Sequence, residues 1–426
     1  MGHKLFVGVT LLPALGLFAQ PLTINFQQAL ERARKYGTEI QTANITALLA
    51  REDRIQAKAA MLPQTQLFNQ FIYTQPNGSP SGVFIANDGP HVYASQGQAH
   101  QDFSLTKWAE YRHALAAEAV AKAKADLAAR GIVATLVQDY YAAVIAQRKV
   151  ANAQKSLDDA RKFLDITQKQ EQGGEAAHAD VVKAQLQVQQ RERDLADAQQ
   201  AIDKARVTLA VVIFPDFRMD YTVVDDLEQA PPLTPFSEVQ DLAMSKSPEL
   251  RAAQAGVFQE TTGISLARAA YLPLLSFDYF FGIDANQVAH YNREHLNNIG
   301  SVAQATLTIP LWNWGATQSK VRQAELKAKQ AQLDLNVAQR QLLANLHSFY
   351  LEAQLAQAQL ESLKKSVELS AESLRLTLLR YQAGEATALE VVDAQTTLSQ
   401  ARNAYDDGLS RYRVAVANVQ TLTGSL

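Results

Sequence analysis

The chain has no cysteine among its 426 residues. That absence removes disulfide frameworks, thiolate metal sites, cysteine nucleophiles and lipid anchors on cysteine. Charge of one sign is lacking too. The 40 basic and 43 acidic side chains leave a net −3, so no strongly basic face is implied and nucleic acid is argued against as a partner. Aromatics are sparse at 8 % although hydrophobic residues reach 47 %. Past the first 19 residues no run approaches 18 consecutive apolar positions, so no transmembrane helix is available. A membrane could then be met only through a β-barrel. Proline is absent from two long spans, residues 91–214 and 311–426, because all 13 prolines lie in the two other stretches, 1–90 and 215–310. Long helices are the reading this forces.

Residues 1–19 read as a secretory signal: Lys4, an apolar run Leu5–Phe18, then Ala19 before Gln20 and Pro21. The chain then matches itself at an offset of 210 residues. Ala59-Ala60-Met61-Leu62-Pro63 recurs as Ala269-Ala270-Tyr271-Leu272-Pro273, and Gly174-Glu175-Ala176 as Gly384-Glu385-Ala386. Val181-Val182-Lys183-Ala184-Gln185 returns as Val391-Val392-Asp393-Ala394-Gln395. A duplicated architecture follows. The first repeat covers 20–214 and the second 237–426, joined by a Pro-rich linker over 215–236. Each repeat is expected to run helix, β-hairpin, very long helix, Gly turn, returning helix.

The opening helices are expected over Asn25–Met61 and Ser237–Tyr271, each stopped by the following Leu-Pro. The hairpins are placed at 64–108 and 274–311. In the second, Leu275, Phe277, Tyr279, Phe281 and Ile283 alternate with Ser276, Asp278, Phe280, Gly282 and Asp284. About ten residues of alternation with a polar second face suit a barrel strand with an aqueous lumen. Strands 64–75 and 98–108 are noisier, and the loops between strands are placed at 76–97 and 285–300. Four strands cannot close around water, so several copies of the chain are required. Three copies would supply twelve strands.

The long helices are expected over 108–172 and 314–382, each on the order of 100 Å at 1.5 Å per residue. Leu360, Leu363, Val367, Ser370, Leu374, Thr377 and Tyr381 step by three and four. Val150, Ala153, Leu157, Ala160, Leu164, Thr167 and Glu171 match them in the first repeat. This is a coiled-coil seam with small and weakly polar members. The fold class is therefore mainly α with membrane β: a long antiparallel helical coiled-coil tube plus four strands per chain.

The order of parts, the Leu-Pro entry to each hairpin, Ile309-Pro310-Leu311-Trp312-Asn313-Trp314-Gly315, and Tyr381-Gln382-Ala383-Gly384 with Glu390-Val391-Val392-Asp393 resemble the TolC family. The resemblance spans nearly all of 22–426 and implies a homotrimer with a twelve-stranded barrel in outer-membrane lipid and a helical tube crossing the periplasm. It implies a passive channel for efflux or type I secretion of small molecules or polypeptides. Its partners would be a periplasmic adaptor and a proton-driven or ABC transporter of the inner membrane. By the same resemblance, the turns at Gly173, Gly174, Glu175 and at Ala383, Gly384, Glu385 form the adaptor-docking tip. Glu390 and Asp393 match an acidic ring at the periplasmic entrance, and Tyr381 with Asp180 match a gate pair. The latch arginine and threonine of the best-known pattern are replaced here by Ala386 and Ala179.

Plainer readings stand beside these. Asp180, Glu175, Glu385 and Glu390 begin returning helices, where carboxylates complement the helix dipole. No Walker loop, GxGxxG, GxSxG or HExxH motif occurs, so no enzyme activity and no cofactor are expected. His91, His100, His290 and His295 are assigned to the hairpin loops, with a spacing that matches no zinc template, so no metal is expected. Trp108, Trp312 and Trp314 follow the strands and suit a membrane–water boundary. The rival reading of the whole chain is a periplasmic coiled-coil scaffold without a pore.

Overall fold

The computed structural model describes residues 22–73, 91–229, 231–292 and 294–424. The signal sequence and residues 76–90 of the first hairpin loop lie outside the described residues. The elements are β1 (Leu22–Ile24), α1 (Phe26–Tyr36), α2 (Thr38–Ala59), β2 (Gln64–Tyr73), β3 (His91–Phe103), α3 (Leu105–Gln172), α4 (His178–Ile213), β4 (Tyr221–Val223), α5 (Phe236–Lys246), α6 (Pro248–Ala269), β5 (Leu274–Ala285), β6 (Ile299–Thr308), α7 (Ala316–Gln382) and α8 (Ala388–Thr423). The duplication is plain in the lengths, with long helices of 68 and 67 residues and returning helices of 36 each.

Three expectations need correction. Each opening helix is two helices. The first breaks at Gly37, and the second at Ser247, whose side chain caps α6 just before Pro248. Proline at the first helical position is favourable, but the residue before it is driven out of helical geometry, so the chain must restart there. The second strand begins at His91 rather than 98, which places His91 in β3 and not in a loop; His100 is likewise a strand residue, within the span expected from 98. Finally, the linker is tied down by sheet pairing: β4 pairs in parallel with β1.

One unit comprises Met1–Gly37, Val133–Leu233 and Glu352–Val416. Its core is aromatic around the linker. Phe26 stacks on Tyr141 and meets Tyr140 edge-on, with ring centroids 5.9 and 5.4 Å apart. The Tyr140 hydroxyl donates to the Val224 carbonyl at 2.8 Å. Burial pushes the Tyr141 hydroxyl up to about 12, so it stays a neutral partner for the Arg413 guanidinium, which also reaches Asp226. Arg148 grips Asp225 with two nitrogens and Asp406 with a third, fastening the linker to α3 and α8. Such planar, bidentate pairing is what arginine offers over lysine.

The other unit comprises Thr38–Ile132, Thr234–Leu351 and Ala417–Leu426. It holds an antiparallel sheet in the order β2-β3-β5-β6. The cross-strand register puts Gln66, Gln98, Asp278 and Gln304 on one face, and Leu67, Phe71, Phe277, Tyr279, Phe281 and Leu307 on the other. The apolar set is 41–72 % exposed, whereas Ser276 and Asp278 are half-buried. A water-soluble sheet does the reverse. Polar side chains here satisfy one another across strands: Gln66 donates to Gln98 at 2.6 Å, Gln98 to Asp278 at 3.3 Å, and Ser276 to Asp102 at 2.7 Å. The outer strands β2 and β6 each leave one edge unpaired within the chain.

Gly282 and Gly300 sit opposite one another in this sheet but differ in surroundings. A Cβ at Gly282 would stand 2.1 Å from the Ser95 carbonyl oxygen and 2.7 Å from the Gln96 Cα, both backbone atoms, while a Cβ at Gly300 meets nothing within 4 Å. Gly282→Ala should therefore cost at least about 1–3 kcal/mol and shift the urea midpoint in detergent. Gly300→Ala should stay within about 0.5 kcal/mol of the parent. Equal midpoints for the two variants would contradict the close β3–β5 approach.

Candidate functional site

The two turns between long and returning helices have one backbone design. At the first, the Glu175 amide donates to the Gln170 carbonyl at 2.8 Å and the Gly174 amide to Glu171 at 2.9 Å. At the second, Glu385 donates to Arg380 at 2.8 Å and Gly384 to Tyr381 at 3.0 Å. These paired bonds close a helix end by the Schellman arrangement, which needs a left-handed residue. Gly174 and Gly384 supply it with φ of 76° and 77°. Gln170 also donates to the Tyr381 carbonyl at 3.4 Å, so α3 touches the second turn directly.

The side chains on the two turns have diverged. The first is bridged by His178 and Glu171, 2.7 Å apart. The second is bridged by Arg380, which reaches the Glu385 carbonyl at 3.0 Å and the Glu390 carboxylate at 3.4 Å. Glu390 is committed further. It accepts from the Thr387 amide and hydroxyl at 3.0 and 3.2 Å, while the Thr387 hydroxyl accepts from the Glu390 amide at 3.3 Å. This is a capping box at the start of α8. The Thr387 amide and hydroxyl bonds, then Arg380, hold the Glu390 carboxyl below the usual glutamate value of 4.5. Its stabilising contribution is thus present above that value and lost as pH falls through the lower folded one. The equivalent position in the first repeat, Ala177, makes no side-chain cap for α4. Asp393, one turn beyond Glu390, is exposed.

Behind the turns lies a cluster drawn from all four helices: Phe163, Ala184, Leu374, Tyr381, Ala388, Val391 and Leu398. Every seam position read from the sequence, 150–171 and 360–381, is at least partly buried. Tyr381 is 5 % exposed, with its ring edge-on to Phe163 at 5.1 Å. Its hydroxyl meets the Thr167 hydroxyl at 3.4 Å rather than a carboxylate oxygen of Asp180. Burial pushes the phenol up; the Thr167 bond opposes this, and the charge of Asp180 adds to it. Asp180 is thus close enough to be felt, but the described hydroxyl contact of Tyr381 is with α3. Sequence reading missed Phe163, Arg380 and Thr387, and it gave Thr167 a place in the seam but no bond to Tyr381. Only the Thr387–Glu390 spacing was visible in advance, as the T-x-x-E capping signature.

Comparison with known proteins now bears on this architecture. A family model described as Outer membrane efflux protein matches residues 239–425, the second repeat. Across both repeats, the chain is 21 % identical to the alkaline protease secretion protein AprF of Pseudomonas aeruginosa, covering 99 % of this chain and 88 % of that protein. It is 20 % identical to outer membrane protein TolC of Vibrio cholerae, over 94 % and 91 % of the two lengths. Among solved structures, the Campylobacter jejuni CmeC outer membrane channel superposes with a TM-score of 0.82 at 14 % identity, covering 94 % of this chain and 85 % of that one. The second repeat thus matches the outer membrane efflux protein family, and the whole chain has the fold of an outer membrane channel.

These relatives are a secretion protein and an outer membrane protein, and the superposed structure is an outer membrane channel whose fold this chain shares. The inside-out sheet exposes its aromatic and aliphatic face, the arrangement expected of a membrane strand rather than of a water-soluble sheet. For the tip, Tyr381→Phe should cost under about 1 kcal/mol, because it loses only one long hydroxyl contact. Tyr381→Ala should cost about 3–5 kcal/mol by emptying the four-helix cluster. Thermal unfolding of the helical signal measures both. Equal losses would mean that the hydroxyl, not the ring, carries the contact.

Proposed function

We propose that three copies of this chain close edge to edge, β2 of one against β6 of the next, into a twelve-stranded barrel that forms a passive export channel. The observation that carries this reading is the sheet itself: lipid-facing apolar side chains, a hydrogen-bonded polar face and two unpaired edges. An open edge in hydrocarbon leaves backbone groups unsatisfied at several kcal/mol each, so closure by further copies is required. The channel carries no catalytic step of its own. Export is driven by an inner-membrane transporter, proton-driven or ABC, joined through a periplasmic adaptor that docks on the turns at Gly173, Gly174, Glu175 and Ala383, Gly384, Glu385. The names of relatives range from a protease secretion protein to a cobalt-zinc-cadmium resistance protein, so cargo is set by the partners.

At the tip, Glu390 and Asp393 form the acidic entrance, with Asp393 the stronger determinant because Arg380 and the helix cap already occupy Glu390. Tyr381 and Asp180 act in closure, the tyrosine through its seat on α3.

The chain has no native cysteine, so strand closure is testable by a clean disulfide scan. Cysteines introduced at Leu67 and along the outward face of β6, at Ala303, Ala305 or Leu307, should give one strongly cross-linked trimer. Cross-linked dimers alone, or a monomer on sizing in detergent, would remove the trimeric barrel. In planar bilayers Asp393→Asn should lower cation preference more than Glu390→Gln. Unchanged reversal potentials in both variants would remove the acidic entrance.

A further inference from the structure

The polar face of the sheet carries one feature that conduction through a water-filled barrel does not require. His100 stands directly opposite Asp278 in the β3–β5 register. Its Nδ1 lies 2.7 Å from an Asp278 carboxylate oxygen and its Nε2 3.2 Å from one of Asp102. Both carboxylates are anchored independently, Asp278 by Gln98 and Asp102 by Ser276. A neutral imidazole has one N–H donor and one lone pair, so it can satisfy only one of two carboxylates. An imidazolium satisfies both, with two charge-assisted bonds. The site is built for the protonated ring.

We propose that His100, set between Asp102 and Asp278, makes the barrel wall an ion-selectivity element whose strength is set by pH. The inference rests on the channel reading above. With the ring charged, the group carries −1 per chain; once the proton leaves it carries −2. The other residues facing His100 are uncharged: Gln64 and Gln66 from β2, Gln98 from β3, Ser276 from β5, and Gln304 and Thr306 from β6. The two aspartates are therefore the titratable groups in contact with His100; Asp284, six residues along β5 on the same face, is held by Gln96 instead. Three copies take the charge of these three groups together from −3 to −6 as the rings lose their protons. A ring of like charge in a low-dielectric wall concentrates counter-ions in the lumen. Its reach is one Debye length, about 10 Å at 0.1 M salt and longer below that, so the effect is largest in dilute electrolyte. This element stands on the sheet and not on the turns that precede the entrance acids.

The test is the reversal potential of single channels under a potassium chloride gradient kept below about 0.1 M, at about pH 5.5 and about pH 8. The wild-type potassium-over-chloride permeability ratio should rise by about twofold across this interval. His100→Gln should show the higher ratio at both pH values, and His178→Gln, which alters the exposed tip histidine, should keep the wild-type step. Asp102→Asn should lower the ratio at both pH values, which provides a second reading should His100→Gln fail to insert. A pH step that survives in His100→Gln, or that vanishes in His178→Gln, would overturn the proposal. Wild-type protein that forms no pore at either pH would instead defeat the channel reading on which it stands.

Discussion

Backbone amides and carbonyls in hydrocarbon must all be paired, and the four strands of this chain cannot meet that demand alone. The order β2-β3-β5-β6 satisfies every interior edge and leaves two outer ones. Much else follows from that shortfall. The outward apolar side chains commit the sheet to lipid, and the polar face commits it to water on the other side. A closed ring of copies is the arrangement that honours both. In the closure proposed above several copies of every helix come together, so the exposed apolar residues on α2 and α7, such as Leu48, Leu49, Leu326 and Leu333, need not be paired within one chain.

In the unit that holds the turns, stability comes from a different source. There the aromatic cluster of Phe26, Tyr140 and Tyr141 and the grip of Arg148 on Asp225 and Asp406 bind the linker to the helices. The linker is thereby a structural strap whose pairing partner, β1, comes from the other end of the repeat. At the tip, by contrast, α3, α4, α7 and α8 share one small apolar cluster around Tyr381. Much of the tip's cohesion is thus non-directional burial, with the polar bonds of Thr167 and Gln170 adding register to it.

Much of this was legible in the amino-acid order because it depends on local period. The seam from Leu360 to Tyr381 and its match from Val150 to Glu171 were readable as steps of three and four, and the long helices end within a few residues of their expected limits. Gly174 and Gly384 were readable as turns because few other residues tolerate their φ. The start of β3 was not, since Tyr93, Ser95 and Gly97 share the face opposite Val92 and Ala94 and blur the alternation. The three-residue pairing of β1 with β4 joins segments some two hundred positions apart and leaves no periodic trace. The same distance hides the Tyr381–Thr167 contact and the His100–Asp278 pair, whose partners meet only once both hairpins are in place. At Ser247–Pro248 the cue was present, a capping serine followed by proline, and it was outweighed by the apolar periodicity on either side.

The duplication preserved the backbone of the two turns and let their side chains part. One is clasped by a histidine and a glutamate, the other by an arginine and a capping box. A trimer therefore offers an encircling partner six sockets of identical shape in two alternating chemistries. The pseudo-sixfold ring is threefold in charge. A sixfold set of identical partner modules could seat on all of them by shape, yet would bind in two classes of affinity.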